Sequence, residues 1–361
     1  MTALFAGLTT LDVLHRLDHV PDPARKVTST GFTMAAGGPA TNAAVTYAAL
    51  DALAARPSPS PAEASTPAPT KAPCGDSPTL LTALGEGPVA AFLAADLASV
   101  GVNVVDATAR GGTRLPTPAG PDRAAADAGR GQARVRDTVQ GAPAVSSIIE
   151  HPDGRMVAST NARLDADPAL AAGRLPGSVG VVLIDGHNPS LARAALTLGV
   201  PDVGGEDPFA RLEARPPHPR ILDGGSWKDW LAPLLGFVDV AVVSEDFAPP
   251  LFARPHGQQV ADFLRGFGIT RTVRTRGERP VQYWWDGLCG EVPVREVTGA
   301  STMGAGDAFH GAFAWAIERA GDQEPERLIR FASAVAAVSV SSFGTRQWLD
   351  SPKLAKIVRG W

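Results

Sequence analysis

The sequence predicts an α/β fold: a doubly wound, mainly parallel sheet flanked by helices, with a small second β-sheet attached. Three observations predict it. GVVLIDG (180–186), RILDGG (220–225) and DVAVVSED (239–246) are continuously apolar runs ending in polar residues, which suits strands buried on both faces. Segments of helical period alternate with such runs, as βαβ units require. STGFTMA (29–35) and VSSIIEHPDGRMVAST (145–160) instead alternate apolar and polar residues, and Pro-Asp-Gly in the second marks a hairpin.

Taken in order, ALFAGLTTLDV (3–13) is expected to form a first strand and turn. GGPATNAAVTYAALDALAA (37–55) is a Gly-rich turn opening a helix. TLLTALGE (79–86), VAAFLAADLASVG (89–101) and VNVVDAT (102–108) follow as strand, helix and strand. The two alternating segments predict a small sheet with one polar face, a candidate lid, with strands at about 12–36 and 135–165. Three stretches lack apolar periodicity and are Pro-, Ser-, Ala- or Gly-rich, so 56–78, 109–134 and 201–219 are expected to be inserted loops. The whole of 1–361 otherwise reads as one domain.

Composition narrows the function. A chain of 361 residues, 44% hydrophobic and 19% charged, can bury a large core. Its net charge of −4, with no basic cluster, argues against a nucleic-acid or membrane-surface partner. Cys74 and Cys289 form no disulfide or zinc pattern, and no signal or membrane-spanning segment stands out, so a cytoplasmic protein is expected. The seven histidines are scattered.

The chemistry concentrates in TGASTMGAGDAFHGAFAWAIERAG (298–321). Phe309, Phe313 and Ile317 recur at helical spacing, so Gly304-Ala305-Gly306-Asp307 is a helix start. Free backbone N–H groups and the positive end of the helix dipole face outward there, and small side chains let an anion approach. A carboxylate in the same turn can take a proton from an attacking hydroxyl, so one turn supplies both needs of phosphoryl transfer. The simpler reading is that Asp307 only stabilises a helix start by its charge.

These residues, read from Ser301 to Ala312, resemble the C-terminal signature of the PfkB/ribokinase family of carbohydrate kinases, and the GAGDxFHGA form looks like its sulfofructose kinase-like branch. GLTTLDVLHRLDHVPDPARK (7–26) and AAGGPATNAAVTYAAL (35–50) are similar to the family's opening strand and its Gly-Gly-x-x-x-Asn region. The resemblance implies a ribokinase-like fold and an ATP- and Mg²⁺-dependent transfer to a hydroxyl of a small sugar or sugar derivative. It implies Asp307 as base, and Gly304, Ala305 and Gly306 as an anion hole. Asp12, Gly37, Gly38 and Asn42 would hold the sugar. Thr275, Gly277, Ser244 and Gly344 would lie by the nucleotide. Lys26, Asn161 and His187 are candidates for shaping substrate choice, or solvated surface residues. A homodimer through the lid is the partner it implies.

Three departures accompany the resemblance. Ser301 replaces the family's first acid and Met303 its second Thr, which argues against a monovalent-cation site. SEDF (244–247) replaces Asn-x-x-Glu, leaving Glu245 as the candidate metal contact. Pro280 replaces the second Gly of the nucleotide loop. Two alternatives stay open: a catalytically impaired sugar- or nucleoside-binding regulator of the same fold, and a dinucleotide-binding oxidoreductase. The second rests on Gly85, Gly87 and Ala90 at a strand-helix junction, with Asp106 ending the next strand.

Overall fold

The computed structural model describes residues 2–22, 24–56, 77–109, 141–160, 164–200, 216–297, 301–321 and 324–361. The expected loops at 56–78, 109–134 and 201–219 lie, but for their ends, outside the described residues, as do Cys74 and Asn161.

Strands β1 (Thr2–Ala6), β4 (Thr79–Thr82), β5 (Asn103–Asp106), β8 (Val179–Ile184), β9 (Arg220–Gly224), β10 (Val240–Ser244), β11 (Arg271–Arg276), β12 (Arg279–Trp285) and β13 (Leu288–Val292) form one sheet, in the order β13-β12-β11-β10-β9-β8-β1-β4-β5. From β5 to β11 every pairing is parallel. The edge at β12 and β13 is antiparallel, an addition the sequence patterns did not announce. The apolar strands are buried because helices cover both faces. On one face lie α1 (Pro39–Ala54), α2 (Pro88–Ser99), α6 (Ala305–Ala320), α7 (Pro325–Ser339) and α8 (Pro352–Arg359), around a core that includes Phe5, Tyr47, Leu93 and Phe313. The other face carries α3 (Pro189–Leu196), the short α4 (Ala232–Leu235) and α5 (Gly257–Arg265), around Leu191, Leu235, Phe247 and Leu264.

A second sheet has the order β3-β2-β6-β7, with β2 (Thr10–Arg16), β3 (Gly31–Gly37), β6 (Ala144–His151) and β7 (Gly154–Ser159). The run 3–13 is therefore two strands, one in each sheet, with the break at Gly7 to Thr9. Registers put Ala35, Asp12, Ser146 and Ser159 in one cross-strand row, and Phe32, His15, Ile149 and Met156 in a row on the opposite face. One face is thus polar and the other apolar, because side chains alternate along each strand. His15 lies on β2 and packs on Phe32 with ring centroids 5.0 Å apart.

α6 is buried from Ala308 through Ile317, which is why its sequence is apolar all round. It crosses α1 closely: a Cβ on Gly311 would stand 2.3 Å from the carbonyl oxygen of Ala43 and 2.8 Å from Cβ of Thr46. Gly311→Ala is expected to force the helices apart and cost about 2 kcal/mol, as over-packing in a closed core does. Urea denaturation of the variant checks this through a lowered midpoint at unchanged slope.

Candidate active site

Parallel strands open their C-terminal ends to ligands, and the small sheet stands over that edge. The Gly-Ala-Gly turn reaches this edge as the start of α6. Gly304 takes a left-handed backbone, φ 70°, as the N-cap. A Cβ on Gly306 would meet nothing within 4 Å, so the first turn is open to an incoming group. Its leading N–H groups have no intrahelical partner.

Asp307 is the acid of that turn and is half-buried. Nδ2 of Asn42, in the first turn of α1, donates to its Oδ2 over 2.8 Å. Burial holds the Asp307 carboxyl above the usual carboxylate range. The Asn42 amide, a protonated ring at His310 and the charge of Arg155 oppose the rise, and Asp185 adds to it. A raised carboxylate is a better proton acceptor, which suits a base.

Asp12 lies on the polar face of the small sheet, 5% exposed, and accepts a hydrogen bond from Thr10 Oγ1 over 2.7 Å. Burial pushes its carboxyl up to about 6, and the Asp307 charge adds to the rise; Thr10, Arg346 and Ser146 oppose it. Room for this carboxylate comes from Gly37, where a Cβ would fall 1.9 Å from Asp12 Oδ2. Gly38, at φ 102°, lets the chain pass Leu8, whose carbonyl oxygen would lie 2.3 Å from a Cβ there. Asp12, Gly37, Gly38, Asn42 and Asp307, drawn from both ends of the sequence, therefore form one cluster.

The remaining expected residues divide. Ser244 and Thr275 pair across β10 and β11 at the strand ends, and Gly277, φ 64°, makes the turn from β11 to β12. A Cβ on Gly344 would meet Thr33 of β3 at 2.9 Å, and Thr345 beside it packs on Gly304. His187 donates its backbone N–H to Asp185 over 2.8 Å and lines a small recess with Gly7, Thr9, Thr82 and Leu164. Lys26 is exposed on the β2–β3 connection, beside Asp18, His19 and Asp22, and is not brought to the cluster.

Glu245 does not fit a metal site. Its carboxylate is paired with Arg279, which holds it below the usual range. Among the described residues no three His, Cys, Asp or Glu side chains converge as metal ligands. No catalytic step is therefore assigned to a protein-held Mg²⁺.

The dinucleotide reading is not favoured. Asp106 Oδ1 accepts from Leu84 N–H at 3.0 Å, Thr108 N–H at 3.0 Å and Thr108 Oγ1 at 2.6 Å, so the acid is spent on its own turn. The carbonyl of Gly141 closes over Gly85, 1.9 Å from where a Cβ would be, and Gly87 only caps α2 ahead of Ala90.

Sequence reasoning missed the cations. Arg346 donates to the Ala36 carbonyl over 2.6 Å, pairs with Asp96 at 3.0 Å and reaches Asn42 Oδ1 at 3.5 Å. Nothing local in FGTRQW signals this role. Arg155 of β7 donates to Thr302 Oγ1 over 3.2 Å, and Ser301 donates to Glu150 of β6. Register could have found these two, since Glu150 and Arg155 pair directly across the PDG hairpin.

Residues 219–352 match the pfkB family carbohydrate kinase profile. No curated protein sequence matches the chain. The chain is similar in structure to a putative ribokinase from Agrobacterium tumefaciens, at 21% identity and TM-score 0.67 over 100% of this chain and 98% of that one. It is similar to ribokinase from Arabidopsis thaliana complexed with ribose and ATP, at 16% identity and TM-score 0.61 over 99% and 98%. It also resembles ribokinase from Cryptococcus neoformans in complex with ADP, at 16% identity and TM-score 0.57 over 100% and 99%. These likenesses establish the fold.

The raised Asp12 carboxyl is a stability cost. Its folded value lies above its unfolded value, so the native state binds more protons between pH about 4 and about 6. Stability then falls as pH rises through that window and stays lower above it. Asp12→Asn is expected to raise stability above pH 6 by up to about 3 kcal/mol, with the gain vanishing near pH 4. Denaturation of both proteins across this range checks it.

Proposed function

We propose that this chain, with the ribokinase fold throughout and a pfkB family segment at residues 219–352, is an ATP-dependent kinase of a small sugar or sugar derivative. The observation that carries the proposal is the Asn42–Asp307 hydrogen bond at the open first turn of α6. It couples a raised carboxylate to a cradle of backbone N–H groups.

Asp12, Gly37, Gly38 and Asn42 hold the sugar hydroxyls, with His187 at the pocket edge. The nucleotide lies along the ends of β10 and β11, beside Ser244, Thr275 and Gly277, with its γ-phosphate toward Gly304–Asp307 and Gly344 behind the turn. Mg²⁺, where present, arrives bound to the nucleotide phosphates. The acceptor hydroxyl gives its proton to Asp307 as its oxygen bonds to the γ-phosphorus. The bond from that phosphorus to the β-phosphate oxygen breaks and ADP leaves. The N–H groups of Gly304, Ala305, Gly306 and Asp307 stabilise the charge on the transferring group. The small sheet serves as a lid. Its polar face already touches the turn through Glu150–Ser301 and Arg155–Thr302, and closure would keep water from accepting the phosphoryl group. The cytoplasm, where ATP is abundant, is the proposed location.

The lid's outer face exposes Phe32, Met34 and Met156, at 56%, 43% and 54%. A second copy of the chain is the proposed cover.

Coupled ADP release against a panel of ketoses, aldoses, anionic sugars and nucleosides tests the function, and release dependent on one acceptor class supports it. Asp307→Asn is expected to lower kcat by about 10³-fold, with the sugar's Kd within a few-fold of wild type. A variant with wild-type turnover would refute the base assignment. For the dimer, sedimentation should show two chains per particle in the wild type and one in Phe32→Glu.

A further inference from the structure

His310 stands one helical turn after Gly306 and points into the protein, 4% exposed. Both ring nitrogens meet oxygens. Nδ1 is 2.7 Å from the carbonyl oxygen of Gly306 and 3.3 Å from Oδ2 of Asp223. Nε2 is 3.1 Å from the carbonyl oxygen of Val242 on β10. A neutral imidazole carries one N–H, so it would set the lone pair of its other nitrogen against a carbonyl oxygen in a dry interior. The imidazolium donates from both sides.

A counter-charge is at hand. Asp223 ends β9, is 4% exposed, and its Oδ2 makes no hydrogen bond with donors among the described residues. The charged groups facing Asp223 are His310, Asp307, Asp185 and Lys228. Burial pushes its carboxyl up to about 7, with Asp307 and Asp185 adding to the rise and His310 and Lys228 opposing it. Three carboxylates and one lysine therefore act on this corner, and a cation at His310 is the charge that reconciles them.

We infer that His310 is a positioning residue, held as an imidazolium by Asp223, that fixes the Gly306–Asp307 peptide and places a buried positive charge beneath the first turn of α6. The inference rests on reading Asp307 as the base and the turn as the phosphate cradle. A charged donor on the Gly306 carbonyl polarises that peptide, which strengthens its other end, the Asp307 N–H, as a donor to the transferring phosphoryl group. The same charge favours the ionised form of Asp307. The competing account is a core histidine that merely ties α6 to β10.

The first test needs no turnover. Long-range ¹H–¹⁵N spectra of histidine-labelled protein report the protonation of each ring among the seven histidines. The His310 signal is the one lost in His310→Gln or, should that variant fail to fold, in His310→Phe. At neutral pH both of its nitrogens are expected to be protonated, and Asp223→Asn is expected to leave one bare. A neutral ring in the wild type overturns the inference.

The second test is the pH profile of kcat. Without the cation, Asp307 loses its proton only at higher pH, so the acidic limb of His310→Gln is expected to move up. Its kcat should fall about tenfold or more while KM for the sugar holds. A lowered Tm with an unmoved acidic limb would make His310 a structural residue only and overturn the catalytic part. If the wild type phosphorylates no acceptor, the kinase reading fails, while the ring's protonation still decides the charge.

Discussion

Asp185, 2% exposed at the end of β8, collects backbone N–H groups from three parts of the chain. Leu8 donates over 2.8 Å, Ala40 over 3.2 Å and His187 over 2.8 Å. A hydrogen bond to a charged group is worth about 1.5–3 kcal/mol, so three of them offset much of the cost of burying the carboxylate. The start of α1 contributes its dipole as well. Gly7 exists for this contact, since a Cβ there would lie 2.2 Å from the carboxyl. The consequences reach the whole site. The bond to Leu8 turns the chain from β1 into β2 and so sets Asp12. The bond to Ala40 seats the first turn of α1 and so sets Asn42.

A second constraint completes the assembly from the other side. The Gly311 crossing brings α6 against α1, and Asn42 then reaches Asp307. The Asn42 amide has one workable orientation: its nitrogen faces a carboxylate and its oxygen faces the Arg346 guanidinium. Arg346 is itself anchored by Asp96 and the Ala36 carbonyl. The Asp307 carboxylate is therefore aimed by a chain of contacts running from α2 through Arg346, beyond the end of α7, to α1. Asp12, Asp185, Asp223 and Asp307 crowd this edge, and the dipole of α6, Arg155, Arg346 and Lys228 oppose their charge.

What the sequence disclosed follows from which interactions are local. The expected helix start at 304–307 is the start of α6, because a capping turn is written in consecutive residues. The runs at 180–186, 220–225 and 239–246 are β8, β9 and β10, because burial on both faces leaves a continuous apolar signature. The antiparallel β12 and β13 left no such mark: alternation is confined to RPVQYWW, whose first two residues also end the stretch that resembles a nucleotide loop. The Arg346–Asn42 and His310–Asp223 contacts were illegible for a different reason. They span 304 and 87 positions, and nothing in a single sequence records which distant residues a sheet order brings together.

The same point explains Ser301. Beside the family signature it looks like a lost acid, and from the sequence that loss argues against a monovalent-cation site at the turn. In the fold the hydroxyl of Ser301 donates to Glu150, 9% exposed on the polar face of the small sheet, which Arg16 also approaches at 3.6 Å. The carboxylate that the motif lacks thus stands beside it, carried by a different strand. This placement ties the turn to the small sheet, because Arg155, paired with Glu150 across the hairpin, holds Thr302 next door. Moving an acid from the turn to the sheet makes the electrostatics of the turn depend on where the sheet sits. A displacement of β6 and β7 would then change the charge beside Gly304–Asp307 as well as the access of water.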